Sequence, residues 1–210
     1  MSRALRLPLF PLPGAILFPR SQLPLHIFEP RYRDMVRDAT EDAGRIGMIQ
    51  PLQFDSDTPP LFAVGCIGEI VGIEELDDGR FNIVLLGSNR FRLVRELETS
   101  APYRCAEVDI DGFDDGDPDP LPLVQRAEVE REARRLGDAM GLAVDWTAVS
   151  RLDDEMLVNS IAQVAPFDPG AKQALLEEAS LAGRADLLVQ LMQFQRAAAG
   201  GGIEIEPTIQ

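Results

Sequence analysis

Few side chains in this sequence have the chemistry to act on a substrate. The single histidine, His26, stands three residues ahead of Glu29 in LPLHIFEPRY. With an arginine such as Arg31 or Arg90, this pair could supply a general base, an acid and an anion holder in a cleft, so a small hydrolytic or small-molecule-binding enzyme is one reading. The same residues also fit plainer roles. A lone histidine in an alternating strand ahead of a helix is more often packed and hydrogen bonded than catalytic. Glu29 is placed to cap the helix that begins at Pro30, and Arg31 and Arg90 suit carboxylate pairs that tie neighbouring elements together. Cys66 and Cys105 are too few for a disulfide framework and lack the paired spacing of a zinc site. The sequence holds no GxxxxGK[ST] loop, GxGxxG turn, HExxH helix or GxSxG elbow. The expectation is a protein without catalytic residues, metal or cofactor.

The elements that would position these groups fall into two kinds. In Leu7 to Tyr32, LPLFPLPGAILFPRSQLPLHIFEPRY, prolines recur too often for a helix, because each lacks an N–H and clashes with the preceding turn. Short strands remain. Pro30 then sits at a first helical position, and Tyr32, Met35, Val36 and Ala39 at helical spacing predict an amphipathic helix to about Glu41. Arg45–Pro51 reads as a strand and 53–60 as a loop. From Leu61 to Leu97 three strand segments follow, with Gly65, Gly68 and Gly72 marking bends or bulges. The turn Asp77-Asp78-Gly79 predicts a hairpin whose two central residues have positive φ. Tyr103–Ile110 adds one more strand.

Composition changes abruptly at DIDGFDDGDPDPLP. Aligning Gly116 with the glycine of a calcium loop puts Phe113 and Pro122 where oxygen ligands belong, so a solvated acidic linker is the reading. Beyond it the period is helical. Val129, Ala133, Leu136 and Met140 line one helix closed by Gly141. A second begins near Ser150 and buries Leu152, Met156, Leu157, Ile161 and Val164. Asp168-Pro169 opens a third, and a last runs from about Leu181 to Ala199. The expected division is 1–111 as a β-domain, 112–122 as an acidic Pro/Gly linker, 123–199 as a helical bundle and 200–210 as a flexible tail.

The chain has 210 residues and a formal charge of −15. That charge opposes the counterion release which dominates nucleic-acid affinity. No apolar run reaches the roughly 20 residues needed to span a bilayer, and Pro8, Pro11 and Pro13 break any signal-peptide core. Neither a nucleic acid nor a membrane is an expected partner, and the expected location is cytoplasmic.

The segments LPLFPLPGAILFP and LPLHIFEPRYRDMV, the hairpin DDGRFNIVLLGSNRFRLV and the later KQALLEE closely resemble the N-terminal, substrate-binding domain of Lon proteases. His26, Glu29, Pro30, Arg31, Tyr32, Gly79 and Arg90 stand in these signature stretches. The resemblance covers about residues 5 to 197. It implies an α+β protein: a PUA-like, bent β-barrel with one inserted helix, followed by a small helical bundle. The substrate-receptor protein cereblon carries a similar domain. Full Lon continues into an ATPase with a phosphate loop and a protease domain with a Ser-Lys dyad. Here the only lysine is Lys172, so the resemblance implies a stand-alone recognition module without peptidase or ATPase activity. Its expected partners are other polypeptides, including unfolded ones, or an ATP-dependent protease; no oligomeric state follows. Phe10, Leu12, Phe18, Leu25 and Phe28 are the expected contact residues, although strand alternation sends at least half of such a run into the core.

Overall fold

A computed structural model describes residues 4–52 and 58–200. The proline-broken opening forms β1 (Ala4–Pro11) and β2 (Gln22–Ile27), and α1 (Pro30–Glu41) follows as the spacing predicts, burying Tyr32, Met35, Val36 and Ala39. Then come β3 (Arg45–Ile49), β4 (Val64–Glu75), β5 (Phe81–Leu97) and β6 (Cys105–Asp109). The sheet order is β2-β5-β4-β3-β1-β6, and a further β5–β6 pairing closes the last five strands into a barrel. β2 stays outside that ring, paired only with the first half of β5. The architecture is α+β, with all strands preceding the later helices.

Two segments read as separate strands are the single strand β5, and Gly87 lies at its middle. A Cβ at Gly87 would overlap the carbonyl of Phe18, so only glycine lets the β1–β2 connection cross there. Register shifts between Cys66 and Gly68 and between Ile70 and Gly72 bend β4 where its glycines are. The hairpin turn differs from the sequence expectation. Gly79 alone has positive φ, at 76°, and its N–H donates to the Leu76 carbonyl. A type I turn followed by a left-handed glycine meets the strand twist with three loop residues instead of two.

Five helices follow: α2 (Leu123–Ala139), the short α3 (Trp146–Val149), α4 (Asp154–Val164), α5 (Pro169–Glu177) and α6 (Leu181–Gly200). Asp168 caps α5 as expected, its Oδ1 accepting from the Ala171 N–H at 2.9 Å. The start of α4 moves. Asp153, not Ser150, is its N-cap, accepting from the Met156 N–H at 2.8 Å. The buried face shifts with it: Leu157, Val158 and Ala162 point inward, while Met156 and Val164 are exposed. The expected tail begins at the last residue of α6, and 201–210 lie outside the described residues.

One core cluster runs from Ile16, Phe18 and Leu85 of the strand half to Leu157, Leu188 and Met192 of the helical half. Buried polar groups also join the halves. Gln50 accepts from the Gly14 N–H through Oε1 (3.2 Å), and its Nε2 donates to the Pro169 carbonyl (3.0 Å). Lys172 Nζ donates to the carbonyls of Gly14 (3.1 Å) and Gln163 (2.8 Å). Desolvation at this position lowers the Lys172 pKa. Residues 112–122 connect the halves but are not simply solvated, because Leu121 and the Asp115 carboxylate are buried.

Candidate functional site

The five expected contact residues separate by burial. Phe10 is 5% exposed and packs on the Tyr32 ring at 4.4 Å between centroids, and Phe18 is fully buried beneath the Arg184 guanidinium at 4.9 Å. Both are core residues, closed to any partner in this structure. The strand half and the helical half meet over Phe18, and α1 covers Phe10, so neither retains the solvent-facing side that strand alternation allowed. Leu12 and Leu25 are half-buried against the core. Phe28, 61% exposed, projects where the chain turns from β2 into α1.

Phe28 stands at an apolar tip that sequence reading did not find as a unit. The outer halves of β4 and β5, with β2 beside them, extend past the closed barrel. β3 pairs with β4 no further than Glu69, so Ile70 onward has β5 alone as its strand neighbour. Val71 (52%) and Ile73 (47%) are exposed on this free stretch. A shallow trough of about 510 Å³ crosses it, lined by Pro24, Leu25, Ile73 and Val84 with Gly72 between them. The signal in the sequence was the run IGEIVGIEEL, whose apolar residues exceed what one buried face requires.

The trough is also lined by polar side chains, His26, Glu74 and Asn82, which form a ladder across β4, β5 and β2. Asn82 Nδ2 donates to Glu74 Oε2 at 2.8 Å, which leaves Asn82 Oδ1 to accept from His26 Nδ1 at 2.8 Å. His26 Nε2 then accepts from Arg80 Nη1 at 3.2 Å, and this network assigns the ring proton to Nδ1. Arg80 in turn pairs with Asp78 at 2.6 Å. Both imidazole nitrogens are therefore engaged. Glu29 occupies the N-cap position of α1, but its side chain caps nothing; it pairs with Arg31 at 2.9 Å, and Arg31 stacks on Tyr32 at 4.6 Å. The trough beside His26 includes none of Glu29, Arg31 and Arg90. The geometry does not join His26 to Glu29 as an acid–base pair.

Arg90 lies elsewhere, at the junction of the halves. Its side chain and that of Asp115 are 2% and 3% exposed and pair at 2.8 Å, and its Nη1 donates to the carbonyls of Leu176 (3.0 Å) and Glu178 (2.7 Å). The Phe113 ring covers it at 4.7 Å. Burial, followed by the charge of Arg90, pulls the neighbouring Arg184 guanidinium down to about 10. Cys66 is fully buried, and desolvation pushes its thiol pKa far up, so it carries no nucleophilic thiolate. Among the described residues no three of His, Cys, Asp and Glu come together as ligands for a metal ion. No described helix is long and apolar enough to cross a membrane.

A barrel whose β4–β5 end runs free, with a helical bundle packed against it, is the fold class of this chain. A family model described as the ATP-dependent protease La (LON) substrate-binding domain matches residues 6–193, and the chain belongs to this family. It is 27% identical over 196 residues to Lon protease 2 of Myxococcus xanthus, covering 90% of this chain and 24% of that protein. To the Lon protease of Anaeromyxobacter dehalogenans it is 25% identical over 197 residues, covering 90% and 23%. The chain thus spans about a quarter of the length of these relatives. Two solved structures share the fold. A Lon N-terminal domain protein from Xanthomonas campestris has a TM-score of 0.65 at 24% identity, covering 89% of this chain and 98% of that one. The N-terminal domain of Mycobacterium avium complex Lon protease has a TM-score of 0.62 at 17% identity, covering 90% and 98%. Family membership supports a role in substrate recognition.

Proposed function

We propose that this protein is a non-enzymatic polypeptide-recognition module which binds exposed apolar segments of other proteins at the free tip of β2, β4 and β5. The observation that carries the reading is the exposure of Val71 and Ile73 on β4 past its last pairing with β3, and of Phe28 directly after Ile27, which pairs with Phe81 at the same end of the sheet. Leu25 and the trough beside it complete the surface. Unfolded chains supply the apolar segments such a surface takes, and an ATP-dependent protease is the partner to which they would pass. Leu12 is half-buried against the core, with its N–H donating to the Ile49 carbonyl at the end of β3 away from this tip, so it lies outside the proposed surface.

The test is binding of a reduced, alkylated unfolded protein, followed by fluorescence anisotropy, with the same protein in its native state as control. Covering the exposed part of Phe28 is worth on the order of 2 kcal/mol. Phe28→Asp is therefore expected to weaken binding about ten-fold or more, and Ile73→Asp to do so to a lesser degree. Equal affinity for native and unfolded forms, or no loss in Phe28→Asp, would sink the proposal.

A further inference from the structure

At the tip the sheet ends with one edge open. Strand β4 pairs with β3 from Cys66 to Glu69, and the Ile70 N–H then donates to the Gly44 carbonyl at 2.8 Å. Past Ile70, among the described residues, no strand pairs with that side of β4, which continues to Glu75 with β5 as its neighbour.

The direction of each main-chain group on this stretch follows from the hairpin. Leu76 turns both of its groups toward the returning strand: its N–H donates to the Arg80 carbonyl and its carbonyl accepts from the Gly79 N–H, each at 2.8 Å. Direction alternates along an antiparallel strand, so Glu74 and Gly72, which pair with Asn82 and Val84, also face β5. Ile73 and Glu75 face outward. Each presents an N–H and a C=O at the edge, and among the described residues no backbone hydrogen bond from outside the hairpin reaches them. The opposite edge of the tip is blunted. There the same alternation turns Leu25 and Ile27 toward β5 and Pro24 outward, and proline has no N–H to offer. The two faces beside the open edge also differ. Cross-strand partners share a face, so Ile73, Ile83 and Leu25 form an apolar row, whereas Glu74, Asn82 and His26 form the polar ladder on the reverse.

We propose that the bound polypeptide enters as an added strand along 71–75 of β4, hydrogen bonded to the main chain of Ile73 and Glu75. The inference rests on the recognition role proposed above and specifies its substrate class: extended, proline-free segments whose alternate residues are apolar. Main-chain pairing supplies affinity that is indifferent to sequence, and the apolar row selects the alternate side chains. A folded protein does not compete, because its own N–H and C=O groups are already paired. A second copy of this chain fits the edge poorly. Each copy brings a formal charge of −15, and that self-repulsion opposes association, while the same field attracts a segment flanked by basic residues.

The probe is an acetylated peptide of about seven residues, alternating valine and threonine between terminal lysines, chosen because both central residue types favour strands. It is titrated into the isotope-labelled 210-residue chain and followed by amide hydrogen exchange. At saturation, exchange at Ile73 and Glu75 is expected to slow about ten-fold or more as their N–H groups become bonded, while Gly72 and Glu74, already facing β5, stay unchanged. N-methylation deletes one N–H of the peptide. It is expected to weaken binding about ten-fold at one alternating set of positions and to leave the other set unchanged, because only every second residue of an added strand turns its N–H to β4. Equal binding of every methylated peptide, or unchanged exchange at Ile73 and Glu75 in the saturated complex, would overturn strand addition and leave recognition to side chains alone. Binding of a reduced, alkylated unfolded protein without binding of the peptide would overturn it as well. If neither binds, the recognition role itself fails, and strand addition with it. Exchange at Ile73 and Glu75 that is slow before peptide is added and quickens on dilution would overturn the proposal in favour of a second copy.

Discussion

Replacing Asp115 by alanine tests whether the acidic connection between the halves is a strap. Asp115 accepts from Arg90 Nε at 2.8 Å and from the Arg90 N–H at 2.6 Å, in a site where both side chains are almost entirely excluded from water. Removing the carboxylate leaves the Arg90 guanidinium buried beside Arg184 with the carbonyls of Leu176 and Glu178 as partners and no counter-charge. Loss of one member of a buried pair costs about 3–5 kcal/mol, against about 0–1 kcal/mol for an exposed pair. With a urea m-value of about 2 kcal/mol per molar, the denaturation midpoint followed by circular dichroism is expected to fall by about 2 M. Glu69→Ala breaks the exposed Arg45–Glu69 contact at 3.5 Å and is expected to move the midpoint by a small fraction of that. Adding Arg90→Met to Asp115→Ala removes the orphaned charge and is expected to restore part of the loss. A midpoint for Asp115→Ala within the range of Glu69→Ala, or no recovery in the double variant, would refute the reasoning and return 112–122 to a solvated linker.

Gly87→Ala forces a Cβ onto the Phe18 carbonyl; a loss of about 1–3 kcal/mol is expected, and a neutral result in urea titration would show that the β1–β2 connection can move aside. The Asp154 carboxyl is held below the usual carboxylate range, chiefly by its bond from Arg126 and further by the Leu121 N–H. A carboxyl with a lowered folded pKa contributes stability that is present above its unfolded value near 4 and lost as pH falls through the folded value. Asp154→Asn is therefore expected to flatten the acid side of the stability–pH curve, and an unchanged curve would count against the Arg126 bond. Phe28→Asp is expected to weaken unfolded-protein binding about ten-fold or more, as read by fluorescence anisotropy.

Features set by neighbouring residues were legible in the sequence. Pro30 with the spacing of Tyr32, Met35, Val36 and Ala39 defines α1 to the residue. Asp168-Pro169 marks the start of α5, and Gly79 marks the hairpin, because a cap or a left-handed glycine acts within one turn of chain. The strand-to-helix division and the family signature were legible for the same reason. Local pattern failed where two elements competed for one boundary. Ser150 and Asp153 both offer a capping oxygen, and packing of Leu157 and Val158 against the core selects the second, which turns Met156 and Val164 outward.

The candidate site depended on contacts between residues distant in sequence. Phe10, Phe18 and Phe28 look alike in an alternating apolar stretch, yet helix α1 covers the first, Arg184 from α6 covers the second, and the third has no cover. Arg20 holds a left-handed conformation at φ 60°, which costs a non-glycine residue about 1–2 kcal/mol. No local motif announces it; its guanidinium is fixed by Glu155 at 2.6 Å and by the carbonyls of Asp115 and Gly116. The sequence by itself determined the elements, their order and the family, because propensity, capping and turn chemistry are short-range. Only the tertiary structure decided which apolar residues remain in water, because burial is a property of whichever distant element arrives to cover them.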